Sequence, residues 1–143
     1  MMLIIKMDKQ KVKNYFSKKN TVYCWWDLHK SDKKKIYKRQ EEIIEKIIKL
    51  KSIKKFLDVS CGKGRYVKKL FGYVKEYTCL DISQQMLDHV KKLGLNVKLV
   101  KGDSEKIPLK EKFDGILCSE SIVHYPNPEK ALSEMKRVLG VIN

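Results

Sequence analysis

The sequence predicts an α/β protein: a parallel sheet flanked by helices in residues 56–143, preceded by a basic helical extension in residues 1–55. Two observations support this fold class. After residue 55, short apolar stretches of strand length alternate with amphipathic stretches of helical period. Before residue 55, the clearest pattern is that of a long amphipathic helix. Alternating strands and helices indicate a parallel sheet with right-handed crossovers, and 143 residues suffice for a single domain with its own core.

The extension contains the clearest helix of the chain, residues 32–50. Six positions follow the 3.6-residue period, with Lys and Glu elsewhere: Ile36, Gln40, Ile43, Ile44, Ile47 and Ile48. Residues 8–19 predict a shorter basic helix. Residues 20–29 bring three aromatic side chains together, a cluster that favours a core over a binding surface.

Strands and helices alternate through the rest of the chain. The predicted strands are residues 56–59, 77–80, 97–100 and 113–118. The predicted helices are residues 64–71, residues 84–93 and a last helix that begins at Pro128. Ser83 and Asn127 are the expected N-caps, while Gly94 and Gly140 are the expected helix ends.

The net charge of +15 is unevenly distributed. Residues 1–55 carry 17 basic and 6 acidic side chains, against 15 and 11 in residues 56–143. A basic extension attracts nucleic acid or an anionic substrate. However, the basic residues are 29 Lys and only 3 Arg, and Arg binds phosphate better; a Lys excess also arises from heat adaptation.

No metal site or membrane segment is expected. The four cysteines are far apart, with no C-x-x-C and no His at metal-ligand spacing, so we expect buried reduced thiols. The apolar start MMLII is too short to span a bilayer and no signal-peptide cleavage pattern follows it. We therefore expect a cytoplasmic protein that does not bind membranes.

Polar residues and glycines lie at or just past the ends of the predicted strands. In a doubly wound sheet, ligands bind beyond the carboxyl ends of the strands, so these residues should converge on one crevice. They are Asp58, the loop 60–64, Asp81, Asp103 and Ser119. Gly62 and Gly64 allow a ligand to approach the backbone. Asp81 can bind two ribose hydroxyls, and Asp103 can accept a hydrogen bond from an adenine amino group.

Two common nucleotide motifs are absent. The dinucleotide fingerprint G-x-G-x-x-G needs a small third residue, but Val67 stands at that place. No G-K-[ST] occurs, which excludes a Walker loop. A dehydrogenase is therefore the least favoured enzyme class.

The chain resembles the class I S-adenosylmethionine-dependent methyltransferases, nearest to the ubiquinone/menaquinone-biosynthesis type. Four segments carry the resemblance, in the family's order and spacing: FLDVSCGKGRYVKKL, YTCLDISQQMLDHVKK, VKLVKGDSEKIPL and FDGILCSESIVHYPNPEKALSEMKRVL. The resemblance implies a Rossmann-like fold, S-adenosylmethionine as cofactor and S-adenosylhomocysteine as product.

The resemblance also implies roles for individual residues. The methionine part of the cofactor would be held by Asp58 and by the loop residues Ser60, Cys61, Gly62 and Gly64. The ribose and adenine would be bound by Asp81, Ile82, Met86, Asp103 and Ser104. Ser119 would lie near the sulfonium and the acceptor. Tyr23, with Phe16 seven residues before it, resembles an N-terminal element that closes over the cofactor.

Two departures from the family are visible. Ser60 occupies a place that is usually glycine. The family also continues beyond the RVL helix with further strands, whereas this chain ends in GVIN. The sheet is therefore expected to be truncated after its fourth strand, leaving that strand at an edge. An apolar edge strand invites a homodimer or a partner chain.

Methyl transfer to a small-molecule acceptor is the favoured function. Much of its catalysis is proximity and orientation, and a base is needed only if the acceptor loses a proton. His124 is the candidate base. Two alternatives stay open: a tRNA methyltransferase, and a non-catalytic cofactor-binding module that needs a partner chain. The acceptor and the methylated atom are not indicated by the sequence.

Overall fold

A computed structural model describes residues 32–140. The predictions for the 8–19 helix, Phe16 and Tyr23 lie outside the described residues. Within them, a helix precedes alternating strands and helices, in this order: α1 (Asp32–Leu50), β1 (Lys55–Val59), α2 (Val67–Leu70), β2 (Glu76–Asp81), α3 (Gln84–Lys91), β3 (Lys98–Lys101), β4 (Gly115–Cys118) and α4 (Pro128–Val138). Single 3₁₀ turns lie at Phe71–Tyr73 and Ile122–His124. The predicted Rossmann-like α/β class is confirmed.

The described strands form one parallel sheet in the order β3-β2-β1-β4. The central pair β1 and β2 aligns Phe56 with Tyr77 and Val59 with Leu80. On the other side of β1, Val59 aligns with Cys118 of β4. Among the described strands, β4 pairs only with β1, which agrees with the predicted edge position.

The sheet is covered on both faces, as a parallel sheet requires. Successive residues of a strand point to opposite faces, so Phe56 and Leu57 enter different cores. One core lies between the sheet and α1, α2 and α3, and includes Ile48, Phe56, Val67, Leu70, Cys79, Leu87 and Val90. The other lies beneath α4 and includes Leu57, Val59, Leu80, Ile107, Phe113, Ala131, Met135 and Val138.

Both predicted N-caps are confirmed. The Ser83 hydroxyl accepts a hydrogen bond from the backbone N–H of Met86 at 3.4 Å. Asn127 Oδ1 accepts one from the N–H of Lys130 at 3.0 Å, and Pro128 follows at the first helical position. The first backbone N–H groups of a helix have no acceptor within the helix, and these two side chains supply one.

Several predicted boundaries are wrong. The helix predicted at residues 64–71 is only Val67–Leu70, because residues 62–66 form turns. The strand predicted from residue 113 begins at Gly115, because the Asp114 carboxylate accepts hydrogen bonds from the N–H groups of Lys54 and Lys55. The last helix ends at Val138, since Leu139 is extended and pairs with Phe113.

The bounds of β3 and α3 differ from the predicted ones by one or two residues. The third strand is Lys98–Lys101, one residue later than predicted, and the helix before it ends at Lys91. Gly94 has φ +66°, in the left-handed region that ends helices. No helix in residues 32–140 combines the length and the apolar character needed to cross a membrane.

Candidate functional site

The loops that follow the parallel strands meet at the carboxyl edge of the sheet. The Cys61 N–H donates to the Leu80 carbonyl at 3.1 Å, joining the loop after β1 to β2. The Gly102 N–H donates to the Asp81 carbonyl at 3.0 Å, joining the loop after β3 to β2. The predicted positions at the ends of β1, β2 and β3 are thus brought to one edge, and Ser119 follows β4 there.

Asp81 connects two of these loops through its side chain. Its Oδ2 accepts a hydrogen bond from the Gly62 N–H at 2.9 Å, and its Oδ1 accepts one from the Ser83 N–H at 2.9 Å. The carboxyl group is 7% exposed, and burial raises its pKa while the backbone N–H groups oppose that rise. The Ile82 N–H also bonds to this carboxylate, so one of its roughly four lone-pair sites remains for a ligand.

The two loop glycines differ in what surrounds them. Gly62 has φ +56°, and a Cβ built there meets no heavy atom within 4 Å. Gly64 has φ +81°, and its Cβ would lie 3.0 Å from Cγ2 of Val90 and 3.3 Å from Cγ2 of Val67. Gly62 therefore borders open space that a ligand can enter, whereas Gly64 allows the loop to pack against α2 and α3.

Ser60 also has a left-handed backbone, with φ +59°. Its hydroxyl is hydrogen-bonded to the Tyr125 hydroxyl at 2.6 Å. Tyr125 also donates to Ser121 Oγ at 3.2 Å and lies 3.4 Å from Cys118 Sγ. Burial, with Cys118 beside it, raises the pKa of the phenol, so Tyr125 is neutral at physiological pH. The loops after β1 and β4 are joined by these hydroxyls.

Asp58 lies near the carboxyl end of β1, with 2% of its surface exposed. The Tyr77 hydroxyl donates to its Oδ2 at 3.0 Å. Burial raises the pKa of this carboxyl to about 7, and the hydrogen bond from Tyr77 opposes the rise. Asp58 is therefore a buried polar residue of β1 whose hydrogen-bond partner is Tyr77 of β2.

Arg65, directly after the loop, connects three elements. Its guanidinium lies 3.9 Å from the ring centre of Tyr37 on α1 and 4.3 Å from that of Tyr66. Its Nη2 donates to Gln40 Oε1 at 3.2 Å and to Tyr66 Oη. Nη1 lies 3.9 Å from a carboxylate oxygen of Glu120.

Tyr66 extends this contact network to Ser119, the residue that follows β4. Its hydroxyl donates to Gln40 Oε1 at 3.1 Å and is hydrogen-bonded to Ser119 Oγ at 2.9 Å. Ser119 was predicted to lie near the reacting atoms. The network therefore fixes the position of Ser119 relative to α1 and to the glycine loop.

Of the four residues predicted to bind adenine, two are buried in the protein. Met86 and Ser104 are buried, while Ile82 and Asp103 are half-buried. Asp103 Oδ1 accepts a hydrogen bond from the Glu105 N–H at 2.8 Å, so one carboxylate oxygen is engaged within the loop. Asp103 and Ile82 are the residues of this group that present surface to a ligand.

Cys61 and His124 are placed differently. The Cys61 thiol is buried in the core that includes Val67, and its interaction with the Cys79 thiol, together with burial, raises its pKa, so this residue contributes its backbone to the loop. His124 is half-buried on the turn that follows Ser121, and burial lowers the pKa of its imidazole. Within residues 32–140, no cluster of His, Cys, Asp and Glu could hold a metal ion.

Sequence reasoning missed Arg65, Tyr66, Tyr77 and Tyr125. Arg65 carried a signal, because it is one of only 3 Arg among 32 basic residues and directly follows the glycine loop. The other three have no local signal. Tyr77 occupies an ordinary strand position, and Tyr125 is paired with a residue 65 positions away.

Comparison with known proteins assigns the chain to a family. A family described as Methyltransferase domain matches residues 57–140. The chain belongs to this family. Sterol 24-C-methyltransferase of Gibberella zeae is 33% identical over 109 residues, which are 71% of this chain and 29% of that protein. Ubiquinone biosynthesis O-methyltransferase of Dechloromonas aromatica is 30% identical over 124 residues, covering 80% of this chain and 53% of that protein.

The methyltransferase domain also resembles solved structures. Magnesium protoporphyrin IX methyltransferase from Synechocystis, solved with bound SAH, superposes with a TM-score of 0.74 at 16% identity, covering 92% of this chain and 68% of that one. An S-adenosylmethionine-dependent methyltransferase from Clostridium acetobutylicum superposes with a TM-score of 0.64 at 24% identity. The match covers 73% of this chain and 46% of that one. These likenesses show the fold. The methyltransferase domain spans about half or less of the two curated relatives named above.

Proposed function

We propose that this protein is an S-adenosylmethionine-dependent methyltransferase that acts on a small molecule. The observation that carries the proposal is the open space over Gly62, bordered by a loop that the Asp81 carboxylate holds in place. A ligand can approach the loop backbone there without meeting a side chain. The sterol, ubiquinone and porphyrin chemistry named by the relatives favours a small-molecule acceptor over tRNA.

The residues at the carboxyl edge fit the parts of this cofactor. The open space over the Gly62 backbone suits the amino-acid end, in a loop shaped by Ser60 and Gly64. The remaining lone-pair site of Asp81 suits a ribose hydroxyl. Asp103 and Ile82, which present surface beyond β2 and β3, suit the edge and face of adenine.

The bound cofactor supplies a methyl group on a positively charged sulfur, which leaves as the neutral thioether S-adenosylhomocysteine. The protein's part is to hold the acceptor in line with that methyl group and to exclude water. We assign Ser119 to the acceptor side, and its hydrogen bond with Tyr66 supports a fixed position there. His124 can take a proton from an acceptor that must lose one, because its lowered pKa keeps the imidazole neutral at physiological pH.

We also propose a domain organisation of two parts. Residues 56–143 form the cofactor-binding core, and residues 1–55 are an extension that covers it. The contacts of Arg65 with Tyr37 and Gln40 support this arrangement, because they seat α1 beside the glycine loop. The position of β4 at an edge of the described sheet supports pairing with a second copy or with a partner chain.

Calorimetric titration with S-adenosylhomocysteine tests the proposal, with NAD as the control ligand. We expect saturable one-to-one binding of S-adenosylhomocysteine, no binding of NAD, and loss of binding in Asp81→Ala. A folded protein that binds neither ligand would overturn the cofactor assignment. Size-exclusion chromatography of the same sample, across a range of concentrations, tests pairing through β4.

A further inference from the structure

The conformation of Ser60 requires an explanation. Its φ of +59° lies in the left-handed region, where a Cβ crowds the following carbonyl and glycine is favoured. The residue stands at the start of the loop that holds Gly62, at the carboxyl end of β1. A serine here has a side chain that a glycine would not have, beside the space assigned to the cofactor's amino-acid end.

The Ser60 side chain is held by a partner on a different loop. Its hydroxyl is 2.6 Å from Tyr125 Oη. The tyrosine is itself fixed: its hydroxyl reaches Ser121 Oγ at 3.2 Å, and its ring packs on the core beneath α4. A hydroxyl bonded to a fixed partner stays in one staggered rotamer, whereas a free serine side chain exchanges among three.

We propose that Tyr125 is a positioning residue for the cofactor loop, holding the Ser60 hydroxyl in one rotamer so that the loop beside Gly62 stays open to the cofactor's amino-acid end. The inference rests on the proposed function, because the benefit is measured in cofactor affinity. It also makes Tyr125 necessary only while residue 60 has a side chain. A glycine at that position takes the same φ without a hydroxyl to restrain.

The test is a double-mutant cycle read by S-adenosylhomocysteine affinity in the full chain. We expect Y125F to weaken binding roughly 3- to 10-fold, the range of one lost hydrogen bond. We expect S60G to bind within about 3-fold of the wild type, and S60G/Y125F to match S60G. Equal losses from Y125F in both backgrounds would overturn the proposal, since a purely structural role would not depend on residue 60. No loss from Y125F in the wild-type background would overturn it as well.

A matched control removes a tyrosine hydroxyl at the other end of the sheet. Tyr73 lies on the 3₁₀ turn Phe71–Tyr73 and is 43% exposed. Y73F should leave the affinity unchanged, and urea unfolding of every variant shows that each is folded.

A second measurement needs no ligand, so it separates this inference from the cofactor assignment. The three-bond Hα–Hβ couplings of Ser60 should report a single χ1 rotamer in the wild type and averaged rotamers in Y125F. Averaged couplings in the wild type would overturn the positioning role. A protein with a single rotamer but no affinity for S-adenosylhomocysteine would retain the Tyr125 contact and lose the proposed function.

Discussion

The Gly62 backbone N–H donates a 2.9 Å hydrogen bond to Oδ2 of Asp81, and this bond ties the glycine loop after β1 to the end of β2. The same carboxylate accepts from the Ser83 N–H through its other oxygen. One buried side chain thus fixes the loop that borders the open space and the start of α3. The shape of the crevice depends on this carboxylate before any ligand is bound.

Asp81→Asn should therefore destabilise the fold as well as the site. An amide has one acceptor oxygen, so one of the two backbone N–H groups would face an NH₂ group instead. An unsatisfied buried donor costs about 1–3 kcal/mol. Urea unfolding should show a loss of that size, with Asp88→Asn, at an exposed position of α3, as the control. Equal unfolding midpoints for the two variants would contradict the anchoring role.

Alanine substitutions at the two loop glycines should affect different properties, ligand affinity at Gly62 and unfolding free energy at Gly64. Gly62→Ala introduces a left-handed alanine in open space, which costs about 1–2 kcal/mol but leaves the packing intact. Gly64→Ala adds a close approach of 3.0 Å to Val90 and should cost more. We expect Gly62→Ala to lose S-adenosylhomocysteine affinity while remaining folded, and Gly64→Ala to show the larger fall in unfolding free energy. The reverse order of stability would mean that the space over Gly62 is not open.

Asp58 should make stability depend on pH. Its pKa in the folded protein is about 7, above the ordinary 3.8, so the folded state holds this proton more tightly than the unfolded state. Its contribution to stability is therefore full at low pH and is lost as pH rises from about 4 to about 7. The difference between these two pKa values corresponds to at most about 4 kcal/mol of unfolding free energy.

Comparison with Asp58→Asn isolates this effect. The unfolding free energy of the wild type, minus that of Asp58→Asn, should fall between pH 4 and pH 7 and be constant above about pH 8. Asp88→Asn supplies the baseline for an exposed carboxylate. A difference that is constant, or that rises with pH, would show that Asp58 is charged without penalty in the folded state.

Arg65→Lys should weaken the seating of α1 although it keeps the charge. Lysine lacks the planar guanidinium that stacks on Tyr37 and Tyr66 and reaches Gln40 at the same time. We expect a loss of about 1–2 kcal/mol in urea unfolding. Arg39→Lys, at an exposed position of α1, is the matched control. If both variants unfold alike, the contacts of Arg65 contribute nothing to stability.

Much of the fold was predictable, because periodicity and capping are local. The alternation of strands and helices, the N-caps Ser83 and Asn127 and the order of polar residues at strand ends could be predicted from the sequence. The start of β4 could not. Asp114 delays the start of the strand, because its carboxylate accepts hydrogen bonds from the N–H groups of Lys54 and Lys55, 60 and 59 positions away.

The site was predictable in its position and less so in its contacts. Glycines and acids at strand ends predict a crevice, and Gly62 and Asp81 do lie together there. The pairing of Ser60 with Tyr125 spans 65 positions and has no periodic signature. The same holds for Arg65, whose partners come from α1 and from the residues after β4. Such pairings are decided by tertiary packing, which local patterns do not report.

The most direct test of the cofactor crevice is an NMR titration of the ¹⁵N-labelled chain with S-adenosylhomocysteine. We predict that the shifted amides cluster in residues 60–64 and 81–83, with further shifts near Asp103 and Ser119. A cavity of about 410 Å³ at the other end of the sheet, lined by residues that include Lys49, Lys54, Tyr73 and Lys75, is the internal control. Shifts confined to that cavity, or no shifts at all in a folded sample, would contradict the crevice as the cofactor site.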